Sequence, residues 1–178
     1  MAMYAVAVTP LIHRLSDENI KQVWFADDAS AGGKLDHIKN WWDNISQIGP
    51  EYGYHPNASK TWLIVKEQDY ERAESLFQDT GVVVTHEGKR HLGSAIGSHS
   101  FVENYVEEKV SEWKREVERL SEIAMTQPQA AYAALTHGLV SKWTYLARTT
   151  PNIDILLKPL EEVIRHKLLP VITGQKSF

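Results

Sequence analysis

Cysteine is absent from the 178 residues, which excludes a disulfide framework, a thiolate metal site and a cysteine nucleophile. No apolar run is long enough to cross a bilayer as a helix. An excess of positive charge is lacking as well. Nineteen Lys and Arg stand against 23 Asp and Glu, a formal charge of -4, which argues against a general nucleic-acid coat but leaves room for a local basic groove. There is no internal repeat and no low-complexity segment. What is present, 43% hydrophobic and 24% charged residues, is the balance of an ordinary globular protein. The length allows one domain with a real core, or a small domain with an appendage.

The N-terminal stretch from Met1 to Leu15 has no basic leader and contains Pro10, so it reads as a buried helix and not as a signal peptide. Residues 1–8 are apolar all round, which predicts burial on nearly all sides, and Pro10 should bend or end the helix. A helix that begins uncapped at the first residue suggests a chain that starts in the middle of something. Ile20 to Phe25 reads as a strand.

Leu35, Ile38, Trp42, Ile45 and Ile48 recur at helical spacing, with Gly49-Pro50 as a Gly cap and stop. The Trp41-Trp42 pair reads as packing, in preference to a base-stacking platform. A strand over 61–65 and a helix over about 67–79, ended by Gly81, follow. Residues 82–85 and 90–96 read as two strands around a hairpin connector at His86-Glu87-Gly88-Lys89.

From Ser100 the pattern becomes helical. Ser100 to Glu103 fits a capping box, and Val102, Val106, Val110, Trp113, Val117, Leu120 and Ala124 form one face of a long helix. Pro128 suits a first helical position, opening a helix to about Arg148. A last helix covers about 154–169, with Pro159 in its first part and Pro170 after its end. Strands followed by a run of helices predict an α+β fold, with residues 1–98 and 99–178 as its two parts.

The organising stretch is Val23-Trp24-Phe25-Ala26-Asp27-Asp28-Ala29-Ser30. It reads as a β-hairpin with two carboxylates at its apex. Carboxylates are poor strand formers, and bringing two together costs Coulomb repulsion. A compensating divalent cation explains the placement: hard carboxylate oxygens suit Mg²⁺, with further ligands from water and substrate phosphates. A solvated turn, in which Asp bonds its own backbone, is the plainer alternative.

The residues then carry a resemblance. Phe25-Ala26-Asp27-Asp28 resembles the aromatic-x-Asp-Asp signature of reverse transcriptases. In order behind it, Asn57-Ala58-Ser59-Lys60-Thr61 resembles the Asn-x-x-Lys-Thr of the next palm motif, and His91-Leu92-Gly93 resembles the primer-grip hairpin. Met1 to Ile12 resembles the helix after the Gln-Gly-Asp-Pro motif, and Ala130 to Gly174 the thumb-side continuation of retrotransposon-type enzymes.

The resemblance implies a partial polymerase palm over 1–98, with two hairpins and one further strand, and a helical thumb-like bundle over 99–178. It implies RNA-directed DNA polymerase chemistry, with RNA template, DNA primer and deoxynucleoside triphosphates as partners and Mg²⁺ or Mn²⁺ as cofactor. Asp27 would be the direct metal ligand and Asp28 its neighbour at the same site. In such two-metal sites cations about 3.5–4 Å apart stabilise the attacking 3′-hydroxyl and the leaving pyrophosphate.

By the same resemblance Lys60 would lie near the triphosphate and could protonate the leaving group; its plain reading is a surface lysine. Ala26 would sit beneath the primer end. Leu92 and Gly93 would let the primer backbone approach, and Lys89, Arg90 and His91 would contact phosphate, unless they are an ordinary solvated turn.

The family's upstream aspartate, Gln-Gly-Asp-Pro loop and fingers have no counterpart among these residues, and Asp17 lies in a polar break. The expectation is therefore weak Mg²⁺ binding and no primer extension by this chain alone. Two alternatives stand beside it: a non-catalytic module that binds a nucleic-acid duplex, and a homo-oligomer that buries its apolar N-terminal segment against itself.

Overall fold

A computed structural model describes residues 2–174. The fold is mixed α+β and divides into two compact units, residues 1–86 and residues 87–178. The dividing line falls ahead of the second hairpin, which packs with the helices that follow it.

In the first unit helix α1 (Ala2–Arg14) leads into an antiparallel hairpin of β1 (Ile20–Phe25) and β2 (Asp28–Gly33). Alternation along β1 turns Ile20, Gln22 and Trp24 inward and leaves Lys21, Val23 and Phe25 exposed. Helix α2 (Leu35–Ile48) covers the inner face, with Trp41, Trp42 and Ile45 buried. These join Leu11, Leu15, Ile20, Phe77 and Val82 in one core. Fully buried Leu11 alone contributes about 1.5–3 kcal/mol by leaving water. Both tryptophans are buried against the core, in line with the reading of the pair as packing.

Strand β3 (Trp62–Ile64), helix α3 (Tyr70–Phe77) and β4 (Val83–Thr85) complete this unit. The two strands pair in parallel, Leu63 opposite Val84. Residues 82–85 are therefore not half of a hairpin. Helix α3 gives the chain the crossover that parallel pairing requires.

Three local expectations are revised here. Helix α1 runs through Pro10. The ring removes the N–H that would bond the Val6 carbonyl, and because Val6 and Pro10 are both exposed, water can satisfy that oxygen. Burial of α1 is one-sided: Val8 and Leu11 are covered, whereas Met3 is 85% and Val6 69% exposed. Gly49 is right-handed (φ -52°) and continues into a 3₁₀ turn, Gly49–Tyr52; the left-handed residue that ends it is Gly53 (φ 73°). Gly49 is needed for space, because a Cβ there would lie 2.7 Å from the Tyr54 carbonyl oxygen.

The second unit opens with the hairpin of β5 (Gly88–His91) and β6 (Ser94–Gly97). Its turn is Leu92-Gly93, not residues 86–89. Both turn residues are left-handed, φ 47° and 81°, the geometry of a two-residue hairpin turn that matches strand twist. Helix α4 (His99–Ala124) is capped by Ser98, whose hydroxyl accepts the Phe101 N–H at 3.2 Å, two residues before the capping box read from sequence. Its predicted face is buried: Val106, Val110, Trp113, Val117, Leu120 and Ala124.

Helices α5 (Pro128–Ala134) and α6 (Val140–Thr149) are one continuous helix through a π-turn at Leu135–Leu139. Helices α7 (Asp154–Val163) and α8 (Leu169–Thr173) are joined likewise through Ile164–Leu168. The helix thus passes Pro170 instead of ending before it. The wide turn contains His166, the residue four before Pro170, whose carbonyl the proline ring would meet in a regular α-helix. Among the described residues no helix is long and apolar enough to cross a membrane.

Candidate functional site

Asp27 and Asp28 stand at the apex of the β1–β2 hairpin. Phe25 pairs with Asp28, so Ala26 and Asp27 form the turn and Asp28 opens β2. Ala26 has φ 54°, a left-handed conformation that costs a Cβ-bearing residue about 1–2 kcal/mol. Directly opposed residues share a face, so Asp28 lies beside Phe25, itself 63% exposed. Both aspartates are exposed, and neither forms an ion pair among the described residues.

Two tyrosines that sequence reasoning did not assign stand near this apex. Tyr54 packs edge-on to Trp24, ring centroids 5.1 Å apart, and its hydroxyl accepts the N–H of Ala29, the residue after the acid pair. Burial pushes the Tyr54 phenol above its ordinary range, and the charges of Tyr4, Asp28 and Asp27 push it further. Burial also raises Tyr4, followed by the charge of Asp27. The Tyr52-Gly53-Tyr54 loop stands out in the sequence as aromatic, but nothing local names its partner.

Carboxylate oxygens suit a hard cation in kind. Two carboxylates fall short of the near-ideal octahedron that Mg²⁺ demands. Among the described residues no group of three or more His, Cys, Asp or Glu gathers around a point. For such a cation, water and substrate oxygens would have to supply the rest.

Lys60 ends the 3₁₀ turn Ala58–Lys60 and is exposed. The turn bonds itself: Ser59 Oγ donates to Asn57 Oδ1 at 2.8 Å, and Thr61 Oγ1 donates to the Asn57 carbonyl at 2.8 Å. Asn57 and Thr61 therefore shape the entry to β3. No hydrogen bond or ion pair joins Lys60 to Asp27 or Asp28 among the described residues.

In the second unit, strand alternation separates the three basic residues. Lys89 and His91 lie on one face of the ribbon and Arg90 on the other. The Arg90 guanidinium sits 5.1 Å from the Tyr105 ring centre, against α4. Leu92, at the tip, is 47% exposed. The Tyr105 hydroxyl donates to the Gly93 carbonyl at 2.9 Å, and the Tyr145 hydroxyl donates to the Leu92 carbonyl. A Cβ on Gly93 would lie 3.4 Å from the Tyr145 ring, so its small size serves the turn and this packing. Below the tip, the Ser94 and Thr150 hydroxyls meet in the buried interior at 3.4 Å.

Comparison with known proteins adds no neighbour: no protein-family model, no curated protein and no solved structure matches the chain.

Proposed function

We propose that this chain is a reverse-transcriptase-like fragment, similar to part of an RNA-directed DNA polymerase, that does not extend a primer by itself. The observation that carries the reading is the exposed acid pair at the crest of an apolar hairpin, with no cationic side chain bonded to either carboxylate among the described residues. Two exposed carboxylates on adjacent residues offer hard oxygens that a divalent cation can share. Asp27 and Asp28 would hold Mg²⁺ or Mn²⁺, which supplies charge stabilisation to phosphoryl transfer when bound.

The chain's own residues do the rest. Ala26 keeps the apex low and unobstructed for a primer end. Lys60, exposed at the mouth of β3, offers a cation and a proton to triphosphate. On the second unit Lys89 offers charge, and His91 a ring N–H, to phosphate. In a trans peptide the carbonyl and the following N–H point opposite ways. With the Leu92 carbonyl held by Tyr145, the Gly93 N–H is turned away from that tyrosine and can meet a phosphate.

Binding of a labelled RNA–DNA hybrid tests the partner class. The expected result is affinity that falls as salt rises, through counterion release. No binding at low salt contradicts the reading. A template–primer assay with Mg²⁺ or Mn²⁺ tests the lack of activity: incorporation that disappears in Asp27→Ala overturns it.

A second reading has its own observation. Met3 and Val6 on α1, and Val23 and Phe25 on β1, are all more than half exposed. Large apolar side chains left wet in this number favour a self-associating remnant. A strict monomer by sedimentation at high concentration contradicts that reading.

A further inference from the structure

We infer that Tyr145 and Tyr105 are positioning residues that hold the Leu92–Gly93 turn in the one orientation able to meet a nucleic-acid backbone. The inference rests on the nucleic-acid reading of this hairpin and adds to it two residues from helices α6 and α4. The turn needs outside support. Both of its residues are left-handed, and for Leu92 that is an unfavourable conformation in a position where Asn or Gly is preferred. A two-residue turn is closed by its flanking pair, His91 and Ser94, and the carbonyls of the two central residues point outside the ribbon.

Each of those two carbonyls meets a tyrosine hydroxyl: Leu92 that of Tyr145, Gly93 that of Tyr105 at 2.9 Å. The donors come from opposite ends of the following sequence, 53 and 12 residues away, so the turn is fixed by tertiary structure and not by its own residues. If the hydroxyls are lost, the Leu92–Gly93 peptide plane is free to flip, while the Gly93–Ser94 plane stays held by the His91–Ser94 pair. A flipped plane presents a carbonyl oxygen to the phosphate in place of an N–H, and repulsion replaces attraction.

The roles are separable from folding, because Tyr→Phe removes only the oxygen. The ring of residue 145 stays against Gly93, and the ring of residue 105 stays beneath Arg90. The experiment uses the full chain and a fluorescein-labelled RNA–DNA hybrid, read by anisotropy over a salt series. The Gly93 amide is followed by ¹⁵N NMR in the same proteins.

For Tyr145→Phe the expected result is about fivefold weaker binding with the salt slope unchanged, since no charge is lost. The Gly93 amide signal moves or broadens, and the thermal midpoint stays close to wild type. Tyr105→Phe weakens binding less, and the double variant is little worse than Tyr145→Phe because both act on one turn. Lys89→Ala, by contrast, lowers the salt slope.

Wild-type affinity in Tyr145→Phe and Tyr105→Phe, with Lys89→Ala weakened, overturns this inference and leaves the nucleic-acid reading standing. An unmoved Gly93 signal in Tyr145→Phe also overturns it. If the unaltered chain binds no hybrid at low salt, both fall together.

Discussion

The side-chain carbonyl of Gln22 accepts the indole N–H of Trp41 at 3.3 Å across 19 residues, and the same oxygen accepts Trp24 Nε1 at 3.1 Å. Its amide nitrogen donates to the Ile12 carbonyl at 3.0 Å and to Ser16 Oγ at 3.2 Å. One polar residue on the inner face of β1 thus joins α1, the ribbon and α2. Gln22→Leu leaves two part-buried indoles without partners, while the Ile12 carbonyl keeps the Ser16 hydroxyl at 2.9 Å. The expected cost is about 2–4 kcal/mol, from unsatisfied groups at about 1–3 kcal/mol each. Denaturation followed by tryptophan fluorescence checks it; a change below 1 kcal/mol contradicts the hub.

The apex stores strain in Ala26, whose φ of 54° suits glycine. Ala26→Gly relieves that strain and gains flexibility in the unfolded chain. The balance is a stabilisation of about 0.5–1 kcal/mol, visible as a higher thermal midpoint. Destabilisation contradicts the left-handed assignment.

Gly49 was legible as a helix end, but its reason is the Tyr54 carbonyl 2.7 Å from where a Cβ would lie. Gly49→Ala must push the Tyr54 backbone outward, at a cost of about 1–3 kcal/mol for an overpacked contact. The same shift loosens the hydroxyl of Tyr54 from the Ala29 N–H. Faster hydrogen exchange at Ala29 reports it, and unchanged exchange contradicts the link.

Tyr54 also predicts an alkaline limit. Its phenol is raised by burial first, then by the charges of Tyr4, Asp28 and Asp27. The neutral form is therefore favoured more in the folded chain than in the unfolded one. That contribution is complete below the unfolded pKa of about 10 and is lost as pH rises through the higher folded value. Tyrosinate absorbance should show phenols titrating late, with one fewer of them in Tyr54→Phe. In Asp27→Asn/Asp28→Asn the Tyr54 titration should move back toward the ordinary range; no movement contradicts the proximity of the acid pair.

Legibility followed the kind of signal. The β1–β2 hairpin, α2 and the buried face of α4 carry periodic apolar residues, and periodicity survives without tertiary information. In the second hairpin Glu87-Gly88 has the composition of a turn, yet the turn is Leu92-Gly93. Leucine at φ 47° has no sequence signature, and the tyrosine hydroxyls bonded to the turn carbonyls come from 12 and 53 residues away. The parallel pairing of β3 and β4 was hidden for the same reason. The first helix is apolar all round in sequence, and composition does not say which face meets a partner. At the site, the acid pair was legible and its tyrosine neighbours were not: Tyr4 and Tyr54 are 50 positions apart.

We propose that Asp27 and Asp28 gather a divalent cation at the hairpin crest. Mn²⁺ titration followed by electron paramagnetic resonance measures it directly, on the chain alone and on Asp27→Asn/Asp28→Asn. The account predicts weak, saturable binding of Mn²⁺, competed by Mg²⁺, and at least about tenfold weaker in the double variant, the equivalent of 1.4 kcal/mol. Equal binding by both proteins, or none by the unaltered chain, contradicts it.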